Sequence, residues 1–259
     1  MDQDRPIGIF DSGMGGIGVL REAVQLLPNE RFIYYGDNLN APYGVLPEER
    51  IRALALDVTD KLMAQQIKAL VVACNTATSA AAQAIRQRVQ IPVIGMEPAL
   101  KPAAQMRRGG KILVLATPMT LKLDKFAHLM ELYGQEAIRV PCEGLMEFAE
   151  RGELEGARID GFLNQLLAPY RRFEVDVAVL GCTHYVFLKK AISKALPGVQ
   201  LIDGNLGTVR RLRQLLEEAC ALRTQGPGEV CFQTSGDPEI VLPRMKMLYD
   251  LAGRLASGE

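Results

Sequence analysis

The sequence predicts an α/β protein with two pseudosymmetric domains, and three observations support this fold class. Short apolar runs alternate with longer amphipathic segments along the 259 residues. The apolar runs recur at a nearly constant offset in the two halves of the chain. The hydrophobic content of 48% suffices for one large domain or two of ordinary size. Strands that alternate with helices form parallel sheets covered by helices.

The predicted strands are eight short apolar runs, which are 7–10, 32–35, 69–73, 91–94, 112–115, 137–140, 177–180 and 199–202. A helix is predicted over 48–66, because its apolar residues follow one another at three- and four-residue steps. Beyond residue 207 we expect a helix over 208–223, a strand and turn over 229–237, and a helix over 238–257. These last elements should return to the first domain.

The repeat is visible as four offsets: 105 residues from Phe10 to Leu115, 106 from Phe32 to Ile138, and 108 both from Cys74 to Cys182 and from Val93 to Leu201. Similar strand spacing in any α/β protein is the alternative explanation. The matching cysteines favour two related halves, and hence two flavodoxin-like or Rossmann-like domains with an interdomain cleft. We expect the first domain to contain residues 1–97 and 207–259, and the second 98–206.

Composition excludes several classes of protein. Basic and acidic residues number 30 each, so a nucleic-acid partner is not expected. No apolar run approaches the roughly 20 residues that span a bilayer, and the N-terminus lacks a secretory pattern, so we expect a cytoplasmic location and no membrane partner. The cysteines are odd in number and widely spaced, and histidines are two. A disulfide framework, a zinc ribbon or another metal site is therefore not predicted.

A glycine-rich segment, "DSGMGGIG" at 11–18, follows the first predicted strand. Gly13, Gly15 and Gly18 match the spacing of a dinucleotide loop, and backbone N–H groups there could hold an anion. However, Asp11 would oppose a pyrophosphate, and no convincing acidic ribose partner follows the next strand. A nucleotide-binding enzyme thus remains a weak alternative. A role for Asp11 in capping a turn remains equally open.

Two cysteines follow predicted strands at equivalent places, in Cys74-Asn75-Thr76 and Cys182-Thr183-His184. Buried cysteines are usually structural. A thiol at a helix N-terminus, however, has a lowered pKa and more thiolate. Two such groups suit a reaction in which one removes a proton from a stereocentre and the other protonates the opposite face. The two sulfurs would then lie about 7 Å apart.

These segments together resemble the glutamate racemases of the aspartate/glutamate racemase family. The matching motifs are "DSGMGG", "GD" followed by "PYG", "ACNTA", "GCTHY" and "FQTSGD", in order through nearly the whole chain. The resemblance implies catalytic cysteines, Cys74 acting on the D-enantiomer and Cys182 on the L-enantiomer. It also implies assisting roles for Asp11, His184 and Glu150. In the other possible alignment of the segment "CEGLMEFAERG", Glu147 takes the place of Glu150. The implied substrate contacts are Asp11, Ser12, Tyr43, Gly44, Asn75, Thr76, Thr183 and His184.

The resemblance further implies cofactor-independent conversion of L-glutamate to D-glutamate for peptidoglycan synthesis. We also expect a homodimer. The pair Asp203-Gly204 and the loop "NLNA" depart from the family pattern. Because only six residues precede the first strand, we expect no activation by a uridine-linked precursor. An aspartate or related amino-acid racemase is the alternative enzyme, although such relatives tend to carry glutamate at the position of His184. A non-catalytic solute-binding module is the alternative outside enzymes.

Overall fold

The structure is a computed structural model that describes residues 2–257. The chain divides into two compact units, here called unit 1 and unit 2. Unit 1 contains residues 2–96 and 205–257 of the described chain, and unit 2 contains residues 97–204. Each unit has its own sheet and its own helices.

The strands are β1 (Ile7–Asp11), β2 (Arg31–Gly36), β3 (Ala69–Val72), β4 (Val93–Gly95), β5 (Lys111–Ala116), β6 (Ala137–Pro141), β7 (Val175–Leu180), β8 (Gln200–Asp203) and β9 (Glu229–Thr234). The α-helices are α1 (Ile17–Leu26), α2 (Glu48–Met63), α3 (Asn75–Arg88), α4 (Leu100–Met106), α5 (Pro118–Lys122), α6 (Asp124–Tyr133), α7 (Met146–Glu150), α8 (Ala157–Leu167), α9 (Lys189–Ala195), α10 (Asn205–Glu218) and α11 (Pro238–Ser257). Short 3-10 helices cover Asn38–Asn40, Tyr43–Val45, Ala168–Tyr170 and Thr183–Leu188.

Both sheets are parallel, which confirms the predicted α/β class. Unit 1 has the strand order β4-β3-β1-β2-β9, and unit 2 has the order β6-β5-β7-β8. The first four strands of each unit therefore share one flavodoxin-like order, with the first strand between the second and the third. Strands β1 and β3 are wholly buried, as expected for parallel strands that are covered on both faces.

The repeat in the sequence corresponds to equivalent hydrogen bonds at the strand ends. In unit 1 the Ala73 N–H donates to Phe10 O at 2.8 Å, and in unit 2 the Gly181 N–H donates to Leu115 O at 2.7 Å. These bonds continue the ladders β1–β3 and β5–β7 beyond the last paired residues. The residue before each cysteine is thus held in the same way in both units.

After residue 204, α10 differs in its ends from the sequence prediction, whereas the strand and turn at β9 and the helix α11 agree with it. Helix α10 begins at Asn205 and ends at Glu218, not at residue 223, and Cys220 beyond it has a positive φ of 49°. Strand β9 ends at Thr234, because its hydroxyl accepts the Gly236 N–H at 3.0 Å and closes a turn. Within residues 2–257 no helix has both the length and the apolar character needed to cross a membrane.

A buried ion pair joins the amino-terminal ends of β2 and β3 to neighbouring segments. Lys68 Nζ lies 2.6 Å from Glu30 Oε2, and neither side chain is more than 1% exposed. Lys68 also donates to the backbone oxygens of Gln3 and Ala221, at 2.6 and 2.9 Å. Glu30 Oε1 accepts the Arg223 N–H at 2.8 Å. The pair therefore connects the N-terminal segment, two central strands and the segment that leads into β9.

Replacing Lys68 by Met should destabilise the protein strongly, because it leaves the Glu30 carboxylate buried without its cation. We expect the free energy of unfolding to fall by about 3–5 kcal/mol. Urea denaturation measures this change. The matched control is Lys61→Met in α2, whose exposed pair with Asp57 should contribute less than about 1 kcal/mol. Equal losses in the two variants would contradict a structural role for the buried pair.

Candidate active site

The carboxyl ends of β1 and β3 bring the first group of predicted residues together in unit 1. Asp11 is the last residue of β1, Ser12 follows it, and Cys74 lies two residues beyond β3. These strands are neighbours, and the chain leaves β1 toward β2 on one side and reaches β3 on the other. Ligands of open α/β sheets bind at such a topological switch point.

Cys74 is the N-cap residue of α3, and its side chain does the capping. The sulfur accepts the Ala77 N–H at 3.4 Å and lies 3.6 Å from Ser12 Oγ. The residue is 6% exposed. The amino-terminal end of a helix carries partial positive charge, which favours an anion there. The local structure therefore supports a thiolate at Cys74.

Asp11 caps the turn of the glycine-rich segment, the role that the sequence left open. Its Oδ1 accepts the Gly13 N–H at 2.9 Å, and the Asp11 side chain is fully buried. A glycine is required at position 16, because a Cβ there would lie 2.8 Å from the Asp11 Cβ and 2.9 Å from the Ala73 Cβ. The segment thus packs directly against the ends of β1 and β3.

Asn75 begins α3 beside Cys74 and is 4% exposed. Its Oδ1 is buried and accepts no hydrogen bond from any residue between 2 and 257. A buried acceptor without a donor is costly, so this atom is suited to receive a donor from a bound molecule. Thr76, the next residue, is buried as well.

Tyr43 and Gly44 lie in the 3-10 turn Tyr43–Val45 and are both buried. The Tyr43 hydroxyl donates to Asp37 Oδ2 at 2.5 Å. Burial, and then this hydrogen bond and the charge of Asp37, raise the pKa of Tyr43 far above its usual value. The phenol therefore keeps its proton.

Cys182 occupies the corresponding place in unit 2, two residues beyond β7. Gly181 before it must be small, because a Cβ there would lie 2.9 Å from both Leu115 O and the Ala116 Cβ. Like Cys74, Cys182 is the N-cap residue of a helix, as the sequence predicts, but this helix, Thr183–Leu188, is a 3-10 helix. The Cys182 sulfur caps no backbone N–H. This tighter turn buries Thr183 and directs His184 toward the sulfur instead.

His184 links Cys182 to a carboxylate. Its Nδ1 lies 3.8 Å from the Cys182 sulfur, and its Nε2 lies 2.5 Å from Glu150 Oε1. Burial by itself lowers the pKa of His184, but the contacts with Cys182 and Glu150 raise it well above the ordinary value. His184 is therefore held as an imidazolium. Of the two candidate glutamates, Glu150 contacts His184. Glu147 Oε2 is buried without a hydrogen-bond partner among the described residues.

Sequence reasoning missed two residues at equivalent positions after β2 and β6. The Asp37 N–H donates to Asp11 O at 3.0 Å, and the Cys142 N–H donates to Ala116 O at 2.9 Å. Burial raises the pKa of the Cys142 thiol, which donates to Val140 O at 3.2 Å. The 105-residue offset between the two halves could have identified these two positions as equivalent. The spacing of residues does not indicate which groups their side chains contact.

The structure thus places the predicted residues in two groups, one in each unit. Cys74 lies with Asp11, Ser12, Asn75 and Thr76, and Tyr43 is joined to the same strand ends through Asp37. Cys182 lies with Thr183, His184 and Glu150.

Comparison with known proteins identifies the family of the chain. The profile of the Asp/Glu/Hydantoin racemase family matches residues 17–212. The glutamate racemase of Clostridium acetobutylicum is 50% identical over 253 residues, which are 96% of this chain and 99% of that protein.

Two solved structures are also similar. The glutamate racemase of Francisella tularensis in complex with D-glutamate has a TM-score of 0.84 and 28% identity, over 96% of this chain and 94% of that one. The glutamate racemase of Escherichia coli in complex with L-glutamate and the activator UDP-MurNAc-Ala has a TM-score of 0.83 and 31% identity, over 95% of each chain. From its strand order, its paired cysteines and these matches, the chain belongs to the Asp/Glu/Hydantoin racemase family and is an isomerase of that family.

Proposed function

We propose that this protein racemises glutamate without a cofactor, by a two-base mechanism with Cys74 and Cys182 as the acid–base pair. One observation carries the proposal. The two buried thiols occupy equivalent positions beyond β3 and β7, and each lies beside a different activating group. Binding alone requires neither thiol, which is an argument against a solute-binding module.

In the proposed reaction from L to D, the Cys182 thiolate removes the α-proton of L-glutamate. The electron pair that this leaves on the α-carbon is delocalised into the α-carboxylate. The Cys74 thiol then delivers its proton to the opposite face. Cys182 ends as a thiol and Cys74 as a thiolate, so the reverse reaction begins from the state that the forward reaction leaves.

Each thiolate has its own source of stabilisation. The His184 imidazolium is held by Glu150 at 2.5 Å and can donate toward the Cys182 sulfur. Cys74 receives the Ala77 N–H and the positive end of α3. Each arrangement thus offers a donor to the negative charge that its sulfur carries in one step of the reaction.

The substrate is proposed to be held by neutral donors and by Asp11. The unpartnered Oδ1 of Asn75 suits the α-ammonium group, and the Asp11 carboxylate adds a favourable charge. Hydroxyls of Ser12, Thr76 and Thr183 can donate to the carboxylates. Preorganised donors of this kind also stabilise negative charge that develops on the α-carboxylate in the transition state.

Glutamate is proposed as the substrate because highly similar relatives are glutamate racemases. We further propose that the D-glutamate serves peptidoglycan synthesis and that the protein acts in the cytoplasm as a homodimer. Residues 1–97 with 207–259, and 98–206, are the proposed domains.

Circular dichroism decay of L-glutamate and L-aspartate, followed side by side, tests the choice of substrate. We expect the L-glutamate signal to decay to zero, because an equal mixture of enantiomers is the equilibrium. The L-aspartate signal should persist under the same conditions. Faster decay with L-aspartate would favour the alternative racemase.

Separate Cys74→Ala and Cys182→Ala variants test the two-base assignment. Each should lower the rate of racemisation by about 10²–10⁴-fold in both directions, because each direction needs one thiolate and one thiol. The matched control is Cys231→Ala, which removes an exposed thiol of β9 and should leave the rate unchanged. Substantial racemisation by either the Cys74→Ala or the Cys182→Ala variant would contradict the two-base assignment.

A Glu150→Gln variant tests the activation of Cys182 through the pH profile of kcat/KM. His184 has a raised pKa in the native protein, so it stays protonated at neutral pH, and activity falls as pH rises through that pKa. Removing the carboxylate lowers the pKa of His184. The alkaline limb should therefore move to lower pH, by about 1–3 units.

Glu147→Gln is the matched control, because Glu147 lies on the same helix and makes no hydrogen bond to His184 through its buried Oε2. Its alkaline limb should coincide with that of the unsubstituted protein. An unshifted limb in Glu150→Gln, or an equal shift in both variants, would contradict the proposed role of the Glu150–His184 contact.

A further inference from the structure

Asp37 is the centre of a hydrogen-bond network that the roles described above do not use. It follows β2 and is 2% exposed. Its carboxylate accepts hydrogen bonds from the Tyr43 hydroxyl at 2.5 Å, from Ser235 Oγ at 2.6 Å and from Asn40 Nδ2 at 3.0 Å. No Lys or Arg of the described chain forms an ion pair with it. Three neutral donors therefore stabilise a buried charge.

The contact with Asp37 restricts what Tyr43 can offer to a ligand. A phenol has one proton to donate, and this proton is directed to Asp37. The raised pKa of Tyr43 shows that the proton is retained. The available donors of this segment are then the backbone N–H groups of Tyr43 and Gly44, since the first N–H groups of a helical turn have no partner within it.

The loop that follows β9 holds Asp37 from the other side. Besides donating to Asp37, Ser235 Oγ accepts the Leu39 N–H at 3.0 Å, and the Ser235 N–H donates to Gly36 O at 3.0 Å. Thr234 Oγ1 donates to Asn38 Oδ1 at 3.0 Å. The segment 37–40 is thus tied to the last strand of the sheet by both side chains and backbone.

We propose that Asp37 is a positioning residue, which holds the Tyr43–Gly44 turn for substrate binding by accepting the Tyr43 hydroxyl proton, and that Ser235 holds Asp37 in turn. In this arrangement Tyr43 contacts the substrate through its backbone N–H and not through its hydroxyl. The inference rests on the proposed function for the identity of the substrate. Unit 2 has Cys142 at the position equivalent to Asp37, so the carboxylate-centred hydrogen-bond network is a feature of unit 1 and not of unit 2.

A double-mutant cycle with Tyr43→Phe and Asp37→Ala tests the proposal. Tyr43→Phe should raise the KM for glutamate by about tenfold, the effect of one lost hydrogen bond. Its kcat should change by less than about threefold, because the turn binds ground state and transition state alike. If both residues act through one hydrogen bond, the double variant should match Asp37→Ala within about threefold. A direct bond from the hydroxyl to the substrate would make the two effects on KM multiply, and that result overturns the proposal.

Two further variants keep the test decisive. Ser235→Ala should raise KM in the same direction by about threefold, and with Tyr43→Phe it provides a second cycle if Asp37→Ala does not fold. Tyr35→Phe is the matched control, because the Tyr35 ring on β2 lies near Lys61 and takes no part in the network. It should leave KM unchanged. An unchanged KM in Tyr43→Phe also overturns the proposal.

Calorimetric titration of glutamate into the same variants separates this proposal from the proposed function. Absence of racemisation by the unsubstituted protein would count against the function alone. The Kd for glutamate should still rise about tenfold in Tyr43→Phe and should not rise further when Tyr43→Phe is added to Asp37→Ala. Additive losses in Kd would overturn the positioning role even where racemisation is intact.

Discussion

The pairing of the two central strands in each sheet is the constraint on which the candidate site depends. The bonds from Ala73 to Phe10 and from Gly181 to Leu115 extend the ladders to the residue immediately before each cysteine. A shift of one residue in either ladder would turn every side chain of that strand to the other face. The two cysteine sulfurs, the helix α3 that Cys74 caps and the contact of Cys182 with His184 all follow these bonds in the sequence, so their positions depend on them. The register of β1 with β3, and of β5 with β7, therefore determines where each thiol lies within its unit.

Similar backbones carry different activating groups in the two units. The Cys74 sulfur accepts a backbone N–H at the end of α3 and lies near Ser12, whereas the Cys182 sulfur lies beside His184, which contacts Glu150 in turn. Because the two enantiomers of an amino acid present the α-proton on opposite faces, two bases that act on the two faces need not be activated alike. The pseudosymmetry of the fold provides the equivalent positions. The loops after the strands provide the difference.

Much of the fold could be predicted from the sequence, because strand–helix alternation and the 105- to 108-residue offset are periodic features. Cys74 and Cys182 could be found for the same reason. The Asp37–Tyr43 contact could not, since it depends on how a loop folds back on itself and on Ser235, 198 residues away. The 3-10 turn after Cys182 was also missed, because buried residues at 183–188 carry no period that separates it from an α-helix. Periodic patterns predict elements, whereas partners of polar side chains depend on tertiary packing.

Whether two different bases act on one α-carbon can be read from the early time course of the reaction in deuterated water. In a reaction started from L-glutamate, the D-glutamate that forms first should carry solvent deuterium at the α-carbon, because the proton that it receives comes from the second thiol. The remaining L-glutamate should still carry protium. Early D-glutamate that retains the original α-proton, or deuterium appearing equally in both enantiomers from the outset, would indicate a single base and contradict a two-base mechanism.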